Sequence, residues 1–241
     1  MKNRIGMKND ENGDTRVGNL LVVFGIFMVT IVVIISATNA VSTGLGVGKI
    51  PPNILTESHS YGDPSNVWNE FNLYSYFDQN WSGNHTEGQF IVMEFLDTDC
   101  PYCWDDASTM SNLESDVNTF NLSERVELFI VATQLPIPTH ETSREEIVAF
   151  QEKTSFAGCR GGNYNCMDRI GSAHTFKYID DINSTIVNEW DLPGTPYYVI
   201  MKPNGIIAWD SMSAKQGETP GSALANILCK DGGPTEVCGG V

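Results

Sequence analysis

Runs and repeats of apolar residues along the chain predict a succession of strands and helices. Residues 89–96 (QFIVMEFL) and 126–132 (VELFIVA) are short, nearly continuous apolar runs, as in strands that are buried on both faces. Between these runs, apolar residues recur every three or four positions from Trp104 to Val117. This period predicts an amphipathic helix that follows the first strand.

The second half of the chain continues the alternation of helices and strands. Residues 156–178 show no apolar period, and we expect an irregular segment there. Helices interleaved with strands, followed by a final hairpin, predict an α/β sandwich. The remaining predicted elements are a helix over 142–153 that opens with a Ser143/Glu146 capping box, a short helix near 182–190, a hairpin of strands 197–202 and 205–210, and a closing helix over 222–229.

A charge-free apolar run extends from Asn19 to Ala37. It is long enough for a helix to cross a hydrocarbon core of roughly 30 Å. A buried soluble helix and a cleaved signal peptide are the alternatives, but the run exceeds the roughly 7–15 apolar residues usual in a signal peptide. We therefore predict a single transmembrane anchor. Four basic residues precede the run and only Lys49 follows within twenty positions, which predicts a cytoplasmic N-terminus and an extracytoplasmic domain.

Changes in composition divide the chain into five predicted parts. The segment after the apolar run is rich in Gly, Pro and Ser and lacks an apolar period, which is typical of a flexible linker. The predicted parts are a cytoplasmic tail over 1–18, the anchor over 19–37, a flexible tether over 38–67, a globular domain over 68–230 and a C-terminal tail over 231–241.

The chain is strongly acidic. It carries 30 Asp and Glu against 14 Lys and Arg, for a formal net charge of −16. A surface of this sign repels nucleic acid and anionic lipid, so we exclude both as partners. High solubility or a salty habitat accounts for the charge without a recognition role.

Six cysteines fall in three close pairs, and one pair lies in the stretch DTDCPYCWDD at the predicted strand-to-helix junction. The spacing of Cys100 and Cys103 serves metal binding, cross-linking and redox chemistry alike. Zinc needs about four ligands, whereas no second C-x-x-C is present and His140 and His174 are isolated. A disulfide over so short a span is a poor structural cross-link. A helix N-terminus favours a thiolate, so we interpret the pair as a redox dithiol.

Three stretches resemble membrane-anchored thioredoxin-like proteins of the TlpA/ResA type. The resemblance covers roughly residues 68–229 and implies a thioredoxin-like fold, with a central mixed sheet flanked by helices. It also implies a small hairpin ahead of the C-x-x-C strand and an extra helix inserted into the fold. The stretches are FNLYSYFDQNWSGNHTEGQFIVMEFLDTDCPYC, ETSREEIVAFQEKTSF and LPGTPYYVIMKPNGII.

The resemblance implies roles for three residues near the dithiol. Cys100 corresponds to the exposed nucleophile and Cys103 to the buried thiol that resolves the mixed disulfide. Glu94, six residues before Cys100, occupies the position of a buried acid. An ionised carboxylate in an apolar strand is costly without a partner. We therefore expect burial to raise its pKa, so that it can serve as the base for Cys103.

The resemblance also implies where a substrate binds. Pro196 in the GTP sequence corresponds to a cis-proline, and the backbone of Thr195 before it faces the cysteines and pairs with an extended substrate. Pro101 and Tyr102 separate the two cysteines and belong to the same surface. Pro-Tyr replaces the Gly-Pro of thioredoxins.

Two features depart from the family pattern. Four acids crowd the dithiol, and their charge should raise the pKa of Cys100, so the sequence does not fix the direction of electron flow. The other two cysteine pairs lie outside the motif, and we predict structural disulfides, with a second redox relay as the alternative. The four acids are Asp97, Asp99, Asp105 and Asp106, and the pairs are Cys159/Cys166 and Cys229/Cys238.

These observations predict an anchored thiol–disulfide oxidoreductase without a bound cofactor or metal. Its expected substrates are cysteines of exported proteins, and a membrane electron carrier would recycle it. One alternative is a thiol peroxidase, but that family places Thr three residues before its cysteine and Thr98 is two before Cys100. Another is a copper chaperone that uses both cysteines and a distal residue such as His174, although such proteins usually space the cysteines by three.

Overall fold

The computed structural model describes residues 19–30, 41–84, 87–136, 141–230 and 235–238. The chain divides into two units, Met1–Val41 and Ser42–Val241. In the first unit, residues 19–30 form helix α1. The rest of the predicted anchor, residues 31–37, lies outside the described residues. Within the described ranges, no helix combines the length and the apolar character needed to cross a membrane.

The second unit contains nine strands, six helices and two 3-10 turns in its described residues. The strands are β1 Leu55–His59, β2 Trp68–Asn72, β3 Phe90–Leu96, β4 Val126–Thr133, β5 Ala157–Gly158, β6 Tyr164–Asn165, β7 Lys177–Asp181, β8 Tyr197–Met201 and β9 Ile207–Asp210. The helices are α2 Pro101–Thr119, α3 Arg144–Glu152, α4 Cys159–Gly162, α5 Thr185–Glu189, α6 Pro220–Cys229 and α7 Thr235–Cys238, and the 3-10 turns are Leu73–Tyr76 and Cys166–Asp168.

Seven of these strands form one mixed sheet in the order β2-β1-β7-β4-β3-β8-β9. Strands β3, β4 and β7 run parallel, and the remaining pairs are antiparallel. All seven residues of β3 are buried, because one apolar cluster with residues of α2, α3 and α6 covers one face and a second with residues of α5 covers the other. This mixed sheet flanked by helices is a thioredoxin-like α/β fold.

Most of the predicted elements are confirmed within one or two residues. The strands predicted over 89–96 and 126–132, the C-x-x-C helix, the helix after Ser143 and the final hairpin all appear. The Ser143 hydroxyl accepts a hydrogen bond from the Glu146 backbone N–H at 3.2 Å, so the predicted N-cap is present.

Strand β7 is an element that the sequence did not predict. Its sequence, KYIDD, has no apolar run and so gave no strand signal. Its acids are tolerated in the strand because tertiary partners satisfy them. Asp180 accepts from the Arg144 guanidinium at 2.8 Å, and Asp181 accepts from the backbone N–H groups of Ile186 and Val187 at the start of α5.

The predicted tether over 38–67 is wrong from residue 42 onward. Residues 55–59 form β1, which pairs with β2 and β7, and Ile54 is buried in the core. The hairpin implied by the resemblance therefore starts before Trp68. The residues of β1 are mostly polar and gave no strand signal. Their partners are distant in sequence; the buried His59 ring, for example, contacts the Gln151 amide oxygen at 2.6 Å.

The predicted C-terminal tail also contains structure. Thr235–Cys238 forms the short helix α7. Cys238 is bonded to Cys229 at the end of α6, so this disulfide fixes part of the tail to the domain.

Candidate functional site

The two central cysteines lie where β3 passes into α2. Cys100 is the N-cap of α2 in an extended conformation, and Pro101 occupies the first turn, where its missing N–H costs nothing. Unpaired backbone N–H groups and the positive end of the helix dipole meet at this position. Cys103 lies one turn further and is completely buried. The predicted placement of the dithiol at a helix N-terminus is confirmed.

Cys100 is less accessible than the resemblance implies. It is 5 % exposed, so the expectation of an exposed nucleophile is wrong. Neighbouring elements cover it, including the Thr195 carbonyl oxygen, which lies 3.6 Å from its Sγ. Tyr102, by contrast, is 74 % exposed, and Pro101 is exposed as well. These two residues form the outer surface of the site.

The loop before β8 faces the dithiol. The Thr195–Pro196 peptide bond is cis, as the resemblance implies. The Cys100 thiol can donate to the Thr195 carbonyl. The backbone of this loop therefore lies against Cys100.

The two thiols differ strongly in acidity. The pKa of Cys100 is lowered to about 6, chiefly because the Cys103 thiol hydrogen-bonds to the Cys100 thiolate. The pKa of Cys103 is raised, first by burial and then by its interaction with Cys100. The expectation that nearby acids raise the pKa of Cys100 is therefore wrong. Cys100 is the thiol that ionises first.

Each of the four acids around the dithiol lies against a donor, and the main influences on the pKa of Cys100 are instead its hydrogen bonds with Cys103 and its burial. The Asp97 carboxylate accepts from the Leu135 backbone N–H at 2.7 Å, and that of Asp99 accepts from the Gly161 N–H at 2.8 Å. Asp105 lies 3.3 Å from the Arg160 guanidinium. The fourth carboxylate, Asp106, accepts from the Tyr198 hydroxyl at 2.5 Å.

Glu94 lies on the face of β3 that packs against α2. The cross-strand partner of Glu94 on β8 is Tyr198. Glu94 is fully buried, and within the described residues neither of its carboxylate oxygens has a hydrogen-bond partner. Burial raises its pKa well above the usual range, and the charge of Asp106 raises it further, whereas the nearby Tyr198 hydroxyl opposes this shift. The structure thus bears out the expected burial and the direction of the expected shift.

The irregular segment after α3 covers the two residues that lead into the dithiol, which the sequence did not predict. The Arg160 N–H donates to the Thr98 carbonyl at 2.9 Å, and the Gly161 N–H donates to Asp99. Both acceptors precede Cys100 directly. Because the Cys159–Cys166 disulfide closes this segment, we call residues 156–166 the covering loop. The two local cysteines were its one signal in the sequence.

His174 is the distal copper ligand in the copper-chaperone hypothesis, but both of its ring nitrogens have hydrogen-bond partners within the protein. Its Nε2 lies 2.9 Å from the Ala107 carbonyl and its Nδ1 lies 2.7 Å from the Tyr178 hydroxyl. Burial lowers its pKa to about 3. A carbonyl can only accept, so the neutral ring donates through Nε2 and accepts from Tyr178 through Nδ1. In the described part of the chain, no group of three or more His, Cys, Asp or Glu residues is arranged to hold a metal ion.

Thr98, the residue relevant to the peroxidase alternative, also has a partner. Its hydroxyl donates to the Glu146 carboxylate at 2.6 Å, and both residues are buried. This contact links the segment before Cys100 to α3.

Comparisons with known proteins give distant likenesses. No family model matches the sequence, and no curated protein matches it. Similar solved structures include a reduced 2-Cys peroxiredoxin from Plasmodium vivax (21 % identity, 75 % of this chain and 93 % of that chain, TM-score 0.48). They also include a putative thiol:disulfide interchange protein DsbE from Chlorobium tepidum (11 % identity, 77 % of this chain and 99 % of that chain, TM-score 0.47). A third is a secreted disulfide oxidoreductase from Mycobacterium tuberculosis (14 % identity, 72 % of this chain and 94 % of that chain, TM-score 0.43). Likenesses this distant support no inference about activity, so the fold assignment depends on the topology of the sheet.

We predict that the two outer disulfides stay oxidised when the central dithiol is reduced. Both pairs are bonded in the structure, and Cys159 and Cys166 are completely buried, which blocks attack by a reductant. Mild treatment with a dithiol, alkylation and peptide mass spectrometry should find label on Cys100 and Cys103 alone. Simultaneous labelling of all six cysteines would instead favour the redox relay.

We also predict that Cys100 is mainly a thiolate at neutral pH, because its pKa is about 6. The rate of alkylation of the reduced protein should rise with a midpoint near that value. Cys103→Ala removes the main hydrogen bond to the thiolate, so the midpoint should move up toward the usual thiol value of about 8.5. Cys100→Ala is the control and should show no reaction in this range. A wild-type midpoint near the usual value would contradict the assignment.

Proposed function

We propose that the chain is a membrane-anchored, extracytoplasmic thiol–disulfide oxidoreductase that exchanges disulfides with cysteines of exported proteins. The observation that carries the proposal is the arrangement of the dithiol. A thiol with a lowered pKa caps α2, its partner thiol lies buried one turn along, and the carbonyl of the cis-proline loop faces the first thiol. Two-step disulfide exchange requires a reactive thiolate and, beside it, a second thiol that stays protonated until it attacks the mixed disulfide.

In the first step, the Cys100 thiolate attacks one sulfur of a substrate disulfide. A bond forms between Cys100 and that sulfur, the substrate S–S bond breaks, and the second substrate sulfur leaves as a thiolate. The backbone of Thr195 and the ring of Pro196 hold the extended substrate, and Tyr102 on the exposed rim contacts it. The lowered pKa supplies the thiolate at neutral pH.

In the second step, Cys103 resolves the mixed disulfide. Its raised pKa keeps this thiol protonated until a base takes the proton. We assign that role to Glu94, whose own raised pKa brings it closer to the working range of a base. Cys103 then attacks Cys100, the remaining substrate sulfur leaves as a thiolate, and Cys100–Cys103 becomes a disulfide. Two electrons have passed to the substrate, and the reverse sequence oxidises a substrate dithiol.

The exchange uses no bound cofactor, because both electrons reside in the dithiol. A membrane electron carrier would restore the starting state in each cycle. The reduction potential of the Cys100–Cys103 couple sets the net direction of electron flow. We propose that both outer disulfides act as structural cross-links, and the Cys159–Cys166 bond in particular closes the covering loop.

We predict that Cys103→Ser accumulates mixed disulfides with other exported proteins, because the bond to Cys100 is not resolved. Cys100→Ser should trap none. Glu94→Gln keeps the shape of the side chain but removes the base, so it should trap the same partners to a smaller extent as resolution slows about ten- to a thousandfold. Non-reducing gels after acid quenching, followed by mass spectrometry, measure the adducts. Equal trapping by both cysteine variants would refute the assigned roles, and trapping by neither would refute disulfide exchange.

We predict that the chain is anchored by the apolar run over 19–37 with its domain outside. The support is the charge-free run and the basic residues before it. Protease added to sealed spheroplasts should digest the domain and leave a small protected fragment, whereas lysed spheroplasts should yield no such fragment. A protected full-length chain would contradict the orientation, and soluble protein that starts near residue 41 would contradict the retained anchor.

A further inference from the structure

We propose that Tyr198 and Asp106 form a proton path that connects the buried Glu94 carboxylate with solvent. The inference rests on the proposed function, in which Glu94 takes the proton of Cys103. It assigns catalytic work to two residues outside the C-x-x-C motif and the cis-proline loop.

The register of the sheet places the first two members of the path side by side. Glu94 on β3 and Tyr198 on β8 are direct partners in an antiparallel pair. Directly opposed residues point to the same face, with Cβ atoms about 4.5–5.5 Å apart. Tyr198 belongs to the apolar cluster that contains Cys103. Base, resolving thiol and tyrosine therefore share the face of the sheet that α2 covers.

Hydrogen bonding extends the path outward. The Tyr198 hydroxyl donates to Asp106 Oδ2 at 2.5 Å, and the other oxygen of this carboxylate accepts from Thr109 at 2.5 Å. Exposure increases along the path, since Glu94 is fully buried, Tyr198 is 6 % exposed and Asp106 is half-buried. Asp106 thus lies where a proton can pass to water.

Two other polar neighbours of Glu94 form hydrogen bonds with other groups. The Arg169 guanidinium donates to the backbone carbonyls of Phe150, Ile170 and Gln151. The Tyr178 hydroxyl donates to His174. Tyr198 is the neighbour that combines the cross-strand position with a contact to a half-buried acceptor. The titratable or charged groups that influence Glu94 are Cys100, Cys103 and Asp106 from the start of α2, Tyr178 from β7, Tyr198 from β8 and Arg169.

The transfer needs no redox partner. Neither Glu94 oxygen is hydrogen-bonded in the described structure, so the transfer begins when the carboxyl turns toward the Tyr198 hydroxyl, which is close enough to act on its pKa. The proton on the Glu94 carboxyl then moves to the Tyr198 oxygen while the hydroxyl proton of Tyr198 moves to Asp106, and Asp106 releases it to water. Tyr198 is neutral before and after the transfer. Glu94 is left ionised and ready to accept the proton of Cys103. The reverse sequence delivers a proton when the dithiol forms again.

The test is a pH jump on the full-length protein in detergent. Cys100 first forms a mixed disulfide with a chromogenic aromatic thiol at acidic pH, where Glu94 is protonated. After a jump to mildly alkaline pH, Glu94 must lose its proton before Cys103 attacks and releases the coloured thiol. Tyr198→Phe and Asp106→Asn should each slow this release about tenfold, which is below the roughly hundred- to ten-thousandfold effect of a group that itself takes the proton. The solvent deuterium isotope effect should rise, because proton transfer becomes rate-limiting.

The neighbouring Tyr197 provides a matched control. Tyr197→Phe removes the same hydroxyl from a residue that is also buried but belongs to the cluster on the opposite face of the sheet, so the rate should not change. Attack by Cys100 on the aromatic disulfide should keep its rate in every variant. Thermal unfolding checks that all variants fold.

The outcomes separate the path from the proposed base. If Glu94→Gln slows release and Tyr198→Phe matches the wild type, the path is refuted and the base remains. If Asp106→Asn matches the wild type, the proton does not leave through Asp106 and the path is refuted. If Glu94→Gln has no effect, the base and the path are both refuted. Equal slowing by Tyr197→Phe and Tyr198→Phe would show a general packing effect and also refute the path.

Discussion

The complete burial of strand β3 is the constraint on which the rest of the structure depends. Apolar clusters cover both of its faces, and its hydrogen bonds to β4 and β8 fix its position in the sheet. A rigid central strand holds the start of α2 in place, and with it the dithiol. The same burial makes Glu94 costly as an anion, since desolvation raises its pKa. A single packing arrangement thus positions Cys100 and raises the pKa of the carboxyl that we propose as a base.

Local donors outweigh net charge at the dithiol. The chain is strongly acidic and four aspartates lie within six residues of Cys100, yet the pKa of this thiol is lowered. Hydrogen bonds act on the thiolate directly, whereas the carboxylates are held by backbone N–H groups, an arginine and a tyrosine hydroxyl. Short-range hydrogen bonding to the charged form is therefore the stronger influence on its acidity.

The covering loop gives the site a feature that the C-x-x-C motif does not carry. Its backbone N–H groups bind the two residues that precede Cys100, and the Tyr164 ring packs near Trp104 on α2, with the centroids 5.6 Å apart. The disulfide at the base of the loop limits its conformations. The loop therefore holds the segment that leads into Cys100.

The sequence by itself determined the buried strands, the amphipathic C-x-x-C helix, the final hairpin and the place of the dithiol, because each depends on short-range periodicity or on adjacent residues. Tertiary structure decided what depends on distant partners. Strands β1 and β7 are polar in sequence, and their side chains are satisfied by Gln151, Arg144 and the start of α5. The register that sets Tyr198 beside Glu94 follows from the pairing of separate strands. The lowered pKa of Cys100 follows chiefly from the local geometry that places the Cys103 thiol against it. Local patterns specify which element forms, whereas the pairing of elements across the sheet decides which side chains meet and how acidic they are.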